Sequence, residues 1–324
     1  MKRAALPSAI CAALLGLAGV GHAQPAHYPT RSVRVIVPYP AGGPTDVIAR
    51  LASQTLSETL GQQFVVENVS GASGVRGATM AATAPADGYT LMFVTNDFPI
   101  AYAMSSKVQY DPIKDFAPIS IISKSPSVVL VHPSVPANTM QEFIALARAE
   151  PAKYSFAGMG LGQNLLASEK IFHLTLKLPI VRIPFPGAAP ILTSTVAGHT
   201  LVGYIGLPPA SPFIKDGTLR ALAVTSPKRS PIAPDVPTLA ESGLIDLESE
   251  LVIGLVAPAA TPPAIVELLA REMAQFVARP QTQARLAAFG FTPVGGPPDE
   301  FAAQIKSDID RATQVVREAG IKVD

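Results

Sequence analysis

The chain has 324 residues, with 25 lysines and arginines, 24 aspartates and glutamates, and a single cysteine. A charge this close to neutral argues against a nucleic acid or an anionic membrane surface as the partner. About 300 residues can build one or two hydrophobic cores, so the fold does not need disulfides. The 32 prolines indicate many short, stiff connections between strands and helices.

The first 23 residues have the pattern of a cleavable secretory signal peptide. A basic pair, Lys2 and Arg3, precedes an apolar segment (residues 9–20), and residues 21–23 read Gly-His-Ala, a small-x-small cleavage site. Cleavage would remove Cys11 and leave 25 − 2 = 23 basic against 24 acidic residues. Because no later run of about 18 apolar residues occurs, we expect a soluble periplasmic protein.

The chain then opens on a strand, a glycine turn and a helix start, VRVIVPYPAGGPTDVIAR (33–50). Pro44 suits the first turn of a helix, and Gly42 and Gly43 let backbone N–H groups face a ligand. The positive end of the helix dipole would favour an anion at this turn. The alternatives are an ordinary strand-to-helix turn and, for Asp46, a capping role paired with Arg50 along the helix.

The same architecture returns in altered form at YSFAGMGLGQN (154–164), where Gly158, Gly160 and Gly162 form the turn. Two such units would give each of two lobes a helix terminus that favours anions. We therefore expect a ligand in the cleft between the lobes, held at one or both ends by backbone donors.

Two further stretches between these units bear on the site. The glycine loop SGASGVRG (70–77) lacks the GxGxxG spacing of a dinucleotide site, so we interpret it as close helix packing with a possible ligand-facing edge. A buried strand (89–94) ends on Thr95, Asn96 and Asp97, the position where open α/β sheets bind ligands. A capped helix start at Asn96 or Asp97 is the alternative.

Strands and helices alternate through the rest of the chain, which favours an α/β fold. Residues 115–122 and 128–132 are predicted as two strands separated by a polar break (123–127), interpreted as a crossing between the lobes. We place a later strand, 219–225, back in the first lobe.

Ten motifs, in the same order along the mature chain, resemble the periplasmic substrate-binding proteins of the tripartite tricarboxylate transporter family, the Bug receptors. They are PYPAGGPTD (38–46), VVENVSGASGVRGA (65–78), PADGYTLMF (85–93), YDPIKDFAPIS (110–120), KYSFAGMGLG (153–162), IPFPGAAP (183–190), LRALAVTSPKRSP (219–231), DVPTLAESG (235–243), LVAPAATP (255–262) and PVGGPPDEF (293–301).

The resemblance implies a two-lobed periplasmic binding protein fold of type II, each lobe a mixed sheet flanked by helices. The expected lobes are 24–122 with 222–324, and 123–221. It also implies that backbone N–H groups and bound water hold a small organic carboxylate. The expected ligand-binding residues are Tyr39, Ala41, Gly42, Gly43, Asp46, Thr95, Asn96, Ala157, Gly158, Gly160, Gly162 and Gly206.

The chain departs from the family pattern at five positions in the second lobe and the cleft wall. Less polar or less bulky residues stand where the family usually has a hydroxyl residue, a histidine, two aspartates and a tryptophan: Leu161, Asn164, Ser194, Ile205 and Val252. We therefore expect a ligand more apolar than citrate, such as an aromatic or branched monocarboxylate.

The residues favour a receptor over an enzyme. His27, His132, His173 and His199 are scattered without metal-ligand spacing, and Ser73 lies outside a GxSxG motif. We expect no cofactor, a monomer, and membrane transporter subunits as partners. The alternatives are a periplasmic hydrolase that uses Ser73 or a cleft aspartate, and a receptor that only signals through a sensor kinase.

Overall fold

The structure is a computed structural model that describes residues 28–160, 162–244, 247 and 249–321. The predicted signal peptide lies outside the described residues. The strands are β1 (Val33–Val37), β2 (Phe64–Asn68), β3 (Thr90–Thr95), β4 (Phe116–Val131), β5 (Ser155–Met159), β6 (Val181–Phe185), β7 (Val202–Gly206), β8 (Arg220–Val224), β9 (Glu250–Pro258) and β10 (Thr292–Pro293). The α-helices are α1 (Pro44–Leu60), α2 (Val75–Ala82), α3 (Asp97–Met104), α4 (Met140–Ala149), α5 (Gly162–Ser168), α6 (Ala188–Val196), α7 (Leu207–Lys215), α8 (Pro263–Ala278), α9 (Pro280–Ala288) and α10 (Pro298–Glu318).

These strands form a mixed sheet in the order β2-β1-β3-β9-β4-β7-β5-β6, with β8 and β10 also paired to β4. The β1 strand runs parallel to β2 and β3, and β5 runs parallel to β6 and β7. The β9 strand is antiparallel to both β3 and β4. The α/β class predicted from the alternating pattern is confirmed.

The long strand β4 joins the two halves of the molecule. Its first part, from Phe116 to Pro126, pairs with β9, and its second part, up to Val131, pairs with β7 and β8. The two halves are the lobes of a two-lobed fold, and β4 passes from one to the other.

The predicted polar break within this segment is wrong, because 123–127 is part of one continuous strand. Its serines are buried, and two of them form hydrogen bonds to neighbouring segments. Ser125 Oγ donates to Gly290 O at 2.9 Å, and Ser127 N–H donates to Thr225 Oγ1 at 2.8 Å. Since these two serines have partners on neighbouring segments, their polarity does not end the strand.

The strand at 219–225 does not lie where the sequence analysis places it. As β8, it pairs with Val128–Val131, the part of β4 that also pairs with β7. Its Leu222 and Ala223 pack with the aromatic core around Phe143 and Phe156. This strand therefore belongs to the second half of the sheet.

Each half of the sheet is covered by apolar side chains on both faces. In β1, Val35 and Val37 point toward α1 and α8, whereas Ile36 joins the core beneath α10 on the opposite face. A smaller cluster spans the lobes, where Ile100 of α3 and Val315 of α10 meet Leu166 of α5.

The helix boundaries follow local signals in the sequence. The α1 helix begins at Pro44 and is closed by Gly61, whose φ is +73° and whose N–H donates to Ser57 O at 3.1 Å. The helix after the second glycine turn is α5, and a π-helical segment, Glu169–Thr175, continues it. Within the described residues, every helix is too short or too polar to cross a membrane.

Candidate functional site

The first glycine loop is assembled around the carboxylate of Asp46. Its Oδ2 accepts the Gly42 N–H at 2.9 Å and Arg50 Nε at 3.0 Å, and its Oδ1 accepts Asn68 Nδ2 at 2.9 Å. Although burial alone would raise it, these hydrogen bonds hold the pKa of Asp46 below its ordinary value. The expected pairing with Arg50 is confirmed, and Asp46 fixes the loop from within.

The other residues of the first loop differ in solvent exposure and in the partners of their backbone N–H groups. Ala41 and Gly42 are exposed, and Gly42 adopts φ +81°, a conformation that favours glycine. Its N–H is already bonded to Asp46, while the Gly43 N–H points to Pro40 O at 3.4 Å. The carboxylate that bonds to this loop is therefore Asp46, in the helix α1 that the loop begins.

The polar residues at the end of β3 are buried and bonded to neighbouring strands. Thr95 Oγ1 shares a 2.7 Å hydrogen bond with the Tyr39 hydroxyl, and burial raises the pKa of Tyr39. Asn96 Nδ2 donates to Glu250 O at 2.9 Å, and Asn96 Oδ1 accepts the Val252 N–H at 3.4 Å. The Asn96 side chain thus connects β3 to β9 instead of capping α3.

The second glycine loop takes its carboxylate from the other half of the molecule. Asp97, the first residue of α3, accepts the Gln163 N–H on its Oδ1 at 2.8 Å. Gly162 adopts φ +76°, and a Cβ there would overlap Asp97 Oδ1. Desolvation raises the pKa of Asp97, opposed by the Gln163 hydrogen bond.

Beside this contact lies a cavity of about 650 Å³. One side is lined by Gly160 and Gly162 of the second loop and by Leu165 of α5. The other side is lined by the loop 72–75 and α3. Most of its walls are apolar, and its charged side chains are Asp97, Lys107 and Arg182. The apolar residues are Ala72, Val75, Ile100, Ala101, Met104, Val108, Leu165 and Ile321.

Arg182 of β6 is held by an acidic residue on the π-helical segment. Its Nε donates to Glu169 Oε1 at 2.8 Å, and Glu169 Oε2 lies 2.5 Å from His173 Nδ1. The other ring nitrogen, His173 Nε2, lies 2.8 Å from Ile180 O. The hydrogen bond to Glu169 raises the pKa of His173, because both ring nitrogens face acceptors.

Comparisons with known proteins bear on this two-lobed arrangement. The model of the tripartite tricarboxylate transporter family receptor matches residues 48–321. The chain belongs to this receptor family. Protein BugT of Bordetella pertussis is 35% identical over 298 residues, which cover 91% of this chain and 91% of BugT.

Solved structures of family receptors have the same fold. An R. palustris protein solved with adipate is 34% identical, with a TM-score of 0.78 over 90% of this chain and 98% of that one. MatC from Rhodopseudomonas palustris, with bound malate, is 30% identical, with a TM-score of 0.74 over 89% of this chain and 100% of MatC. Receptors of this family are periplasmic binding proteins and not enzymes.

The twelve ligand-binding residues predicted from the sequence lie in several different environments. Gly160 and Gly162 line the large cavity, whereas Ala157 and Gly158 are buried behind the loop. Gly206 is half-buried at the end of β7, next to Pro208. The remaining seven form the first loop and the end of β3.

The loop 70–77 packs closely against the first lobe on one side and faces the cavity on the other. A Cβ on Gly77 would lie 2.7 Å from Pro38 Cβ, which confirms the close packing. On its other side, Ala72, Ser73 and Val75 line the cavity, and the ligand-facing role of this edge stays a prediction.

The expected ligand-binding residues include none of the three charged residues of the cavity, Asp97, Lys107 and Arg182. Asp97 ends the polar trio that begins with the last residue of β3, and only Thr95 and Asn96 of this trio are among the expected ligand-binding residues. Arg182 is a basic residue within the otherwise apolar strand VRIPF, a signal that could have marked it. Within the described ranges, no group of three or more His, Cys, Asp or Glu side chains could hold a metal ion.

Proposed function

We propose that this receptor captures a small organic carboxylate with an apolar body between its two lobes and delivers it to a tripartite tricarboxylate-type membrane transporter. The single observation that carries the proposal is the cavity of about 650 Å³ between α3 and the second glycine loop. Its volume falls within the usual range of small-molecule sites, about 300–1,000 Å³.

The chemistry of the cavity supports an acid as the ligand. Arg182 brings a permanent positive charge, and a guanidinium suits the planar geometry of a carboxylate. Two family structures hold dicarboxylates, adipate and malate. The carboxylate ligands of these family structures therefore match a cavity lined by the positively charged Arg182.

The apolar walls support a ligand less polar than citrate. Val75, Met104 and Leu165 would cover a hydrocarbon body and leave few polar partners for a second or third carboxylate. Ile205 and Val252, two of the family departures, are buried in the cores and do not add polar groups. An aromatic or branched monocarboxylate suits such a wall.

The expected site residues have three roles in this proposal. Gly160 and Gly162 would contact the ligand directly. The first loop, Tyr39 to Asp46, together with Thr95 and Asn96, would support the first-lobe wall through the Asp46 cluster and the Tyr39–Thr95 bond. Ala157, Gly158 and Gly206 would shape the second-lobe wall.

We infer that the lobes divide within β4 and again just before β9. The pairing of β4 supports a boundary near residue 126, and the packing of β8 with the second half supports a return near residue 249. These limits are several residues later than 122 at the first crossing and well beyond 222 at the second.

We further propose that the mature protein is a secreted periplasmic monomer, produced by cleavage after residue 23, without catalytic activity. Ser73 lines the cavity, but no histidine is among the described residues around it that could serve as its base. A ligand recovered unchanged after prolonged incubation is the expected result, and turnover would contradict it.

A thermal-shift screen of residues 24–324 tests the receptor function. The panel holds tricarboxylates, dicarboxylates, aromatic and branched monocarboxylates, and the amide of each acid. A ligand at 100 times its dissociation constant adds roughly 2.7 kcal/mol to the folding stability. We expect shifts with apolar monocarboxylates and none with amides. Equal shifts with amides, or tight citrate binding without apolar acids, would contradict the proposal.

A further inference from the structure

A second cavity, of about 180 Å³, lies on the first lobe between α1 and the junction of α8 with α9. It shares no lining residue with the cavity between the lobes. Polar groups make up most of its walls. Because one water molecule occupies about 30 Å³, this cavity has room for a small polar solute.

Two buried threonine hydroxyls of this cavity have no hydrogen-bond partner. Thr55 of α1 and Thr282 of α9 line the cavity, although only 8% and 7% of their surfaces are exposed. Within the described part of the chain, neither hydroxyl forms a hydrogen bond, and neither oxygen is completely enclosed by protein. Since buried hydroxyls normally have partners, these two favour an added hydrogen-bonding group in the cavity.

Two arginines of the cavity also lack partners. Arg279, which precedes α9, is half-buried, and Arg285 of α9 is exposed. Among the residues that the structure describes, neither guanidinium has an ion-pair or hydrogen-bond partner. The acidic residue of the lining, Glu58, accepts Gln54 Nε2 at 2.9 Å. Two positive charges are therefore set against one negative charge, and the excess is positive.

The first turn of α9 adds backbone donors to this cavity. The Arg279 N–H donates to Phe276 O at 3.3 Å, and Pro280 has no N–H. The N–H groups of Gln281 and Thr282 come next, and N–H groups at these positions have no acceptor within their own helix. The positive end of the α9 dipole thus lies at the cavity that the two arginines line, which favours an anion.

We propose that this cavity is a second ligand site of the protein and that it binds a phosphate group. Its donors lie on separate segments, namely α1, the residue before α9, and α9 itself. A phosphate, with oxygens on all sides, satisfies more of them than a flat carboxylate does. Guanidinium groups pair with phosphate through two parallel N–H bonds, and the two threonine hydroxyls add neutral donors.

Isothermal titration of residues 24–324 with inorganic phosphate tests the site. The buffer is Tris-chloride at low ionic strength, because salt screens exposed arginines. We expect saturable one-to-one binding of phosphate, and binding of acetate that is about tenfold weaker or more.

A lipid headgroup carries the same phosphate chemistry, so sedimentation with vesicles of equimolar phosphatidylglycerol and phosphatidylcholine distinguishes the two sources. The overall charge of the chain is close to neutral, and we therefore expect the free ion to bind and the vesicles not to sediment the protein.

Two variants assign the binding to the cavity. Thr282→Val removes the hydroxyl at a similar volume and should weaken phosphate binding about tenfold. Arg285→Gln should weaken it about tenfold or more, and because Arg285 is exposed, this variant is expected to fold normally even if Thr282→Val does not. Arg271→Gln is the matched control. It removes the same charge from an exposed arginine of α8 outside the cavity and should change the affinity less than about twofold.

The outcomes decide both the site and the source of the phosphate. Weaker phosphate binding in Arg285→Gln but not in Arg271→Gln supports the site. Sedimentation with the mixed vesicles that is lost only in Arg285→Gln also supports it and identifies the lipid headgroup as the source. Equal losses in both arginine variants, acetate that binds as tightly as phosphate, or no binding of either probe would overturn the proposal.

Discussion

The two glycine loops share a strand, a turn and a helix, but they obtain their carboxylate from different places. In the first loop, Asp46 lies in the helix that the loop begins and bonds the Gly42 N–H at 2.9 Å. In the second loop, Asp97 reaches across from the other lobe and bonds the Gln163 N–H at 2.8 Å. The first loop is thus held by its own sequence neighbours, and the second depends on how the lobes meet.

This difference assigns the loops different roles. Separation of the lobes would break the Asp97 contact and leave the Asp46 cluster intact. We therefore expect the first loop to contribute to folding stability and the second to report on the cleft, although both have the same sequence pattern.

The largest effect is expected for Asp46→Ala. The change removes a buried carboxylate that accepts three hydrogen bonds, two from neutral donors that would lose their partner. Because hydrogen bonds to charged groups contribute about 1.5–3 kcal/mol each and are not additive, we expect a loss of roughly 3 kcal/mol. Urea unfolding measures it.

The control for this variant is Asp310→Ala. Asp310 forms an ion pair with Lys306 in which both side chains are more than 60% exposed. Exposed pairs contribute little, so we expect a change of less than about 0.5 kcal/mol. Similar losses in the two variants would show that Asp46 does not hold the first loop.

Gly162→Ala probes the second loop, with Gly217→Ala as its matched control. Both glycines have φ +76°, but a Cβ at Gly217 meets nothing within 4 Å, whereas one at Gly162 overlaps Asp97. We expect the backbone conformation to cost each variant roughly 1 kcal/mol. Gly162→Ala should lose about 1–2 kcal/mol more through the overlap.

A double variant shows where the additional loss arises. In the double variant, Gly162→Ala is combined with removal of the Asp97 side chain, so the overlapping atoms are gone. We expect the stability loss caused by Gly162→Ala in this background to fall to that of Gly217→Ala. If Gly162→Ala and Gly217→Ala unfold at the same urea concentration, the lobes do not meet through this contact.

The smallest expected effect is a dependence of folding stability on pH, and it arises in the second lobe at His173. The folded state raises the pKa of His173, chiefly through the hydrogen bond to Glu169. The imidazolium therefore contributes stability that is fully present below about pH 6.5 and is lost as the pH rises through the folded pKa.

Urea unfolding between pH 5.5 and 8.5 measures this contribution. We expect the free energy of unfolding to fall with rising pH over that window and the fall to be smaller in His173→Gln. A slope that is unchanged in His173→Gln would refute the role of this histidine.

The sequence predicts the local parts of this fold well and the long-range parts poorly. The start of α1 at Pro44 depends on neighbours in the chain, and this prediction is confirmed. The pairing of Asp46 with Arg50 is likewise an interaction between residues one helical turn apart.

The features that the sequence missed depend on residues distant in the chain. The serines of β4 look like a break until their partners Gly290 and Thr225 are known. The partner of Asp97 lies 66 residues away. Periodicity and turn chemistry carry no information about such contacts, so they could not place Asp97 in the cavity or β8 in the second half.

The most direct test of the account is a crystal structure of residues 24–324 with the acid that gives the largest thermal shift. The account predicts a ligand that contacts both lobes, with its hydrocarbon part against Val75 and Leu165 and its carboxylate at Arg182. A ligand bound to one lobe alone, or outside this cavity, would contradict it.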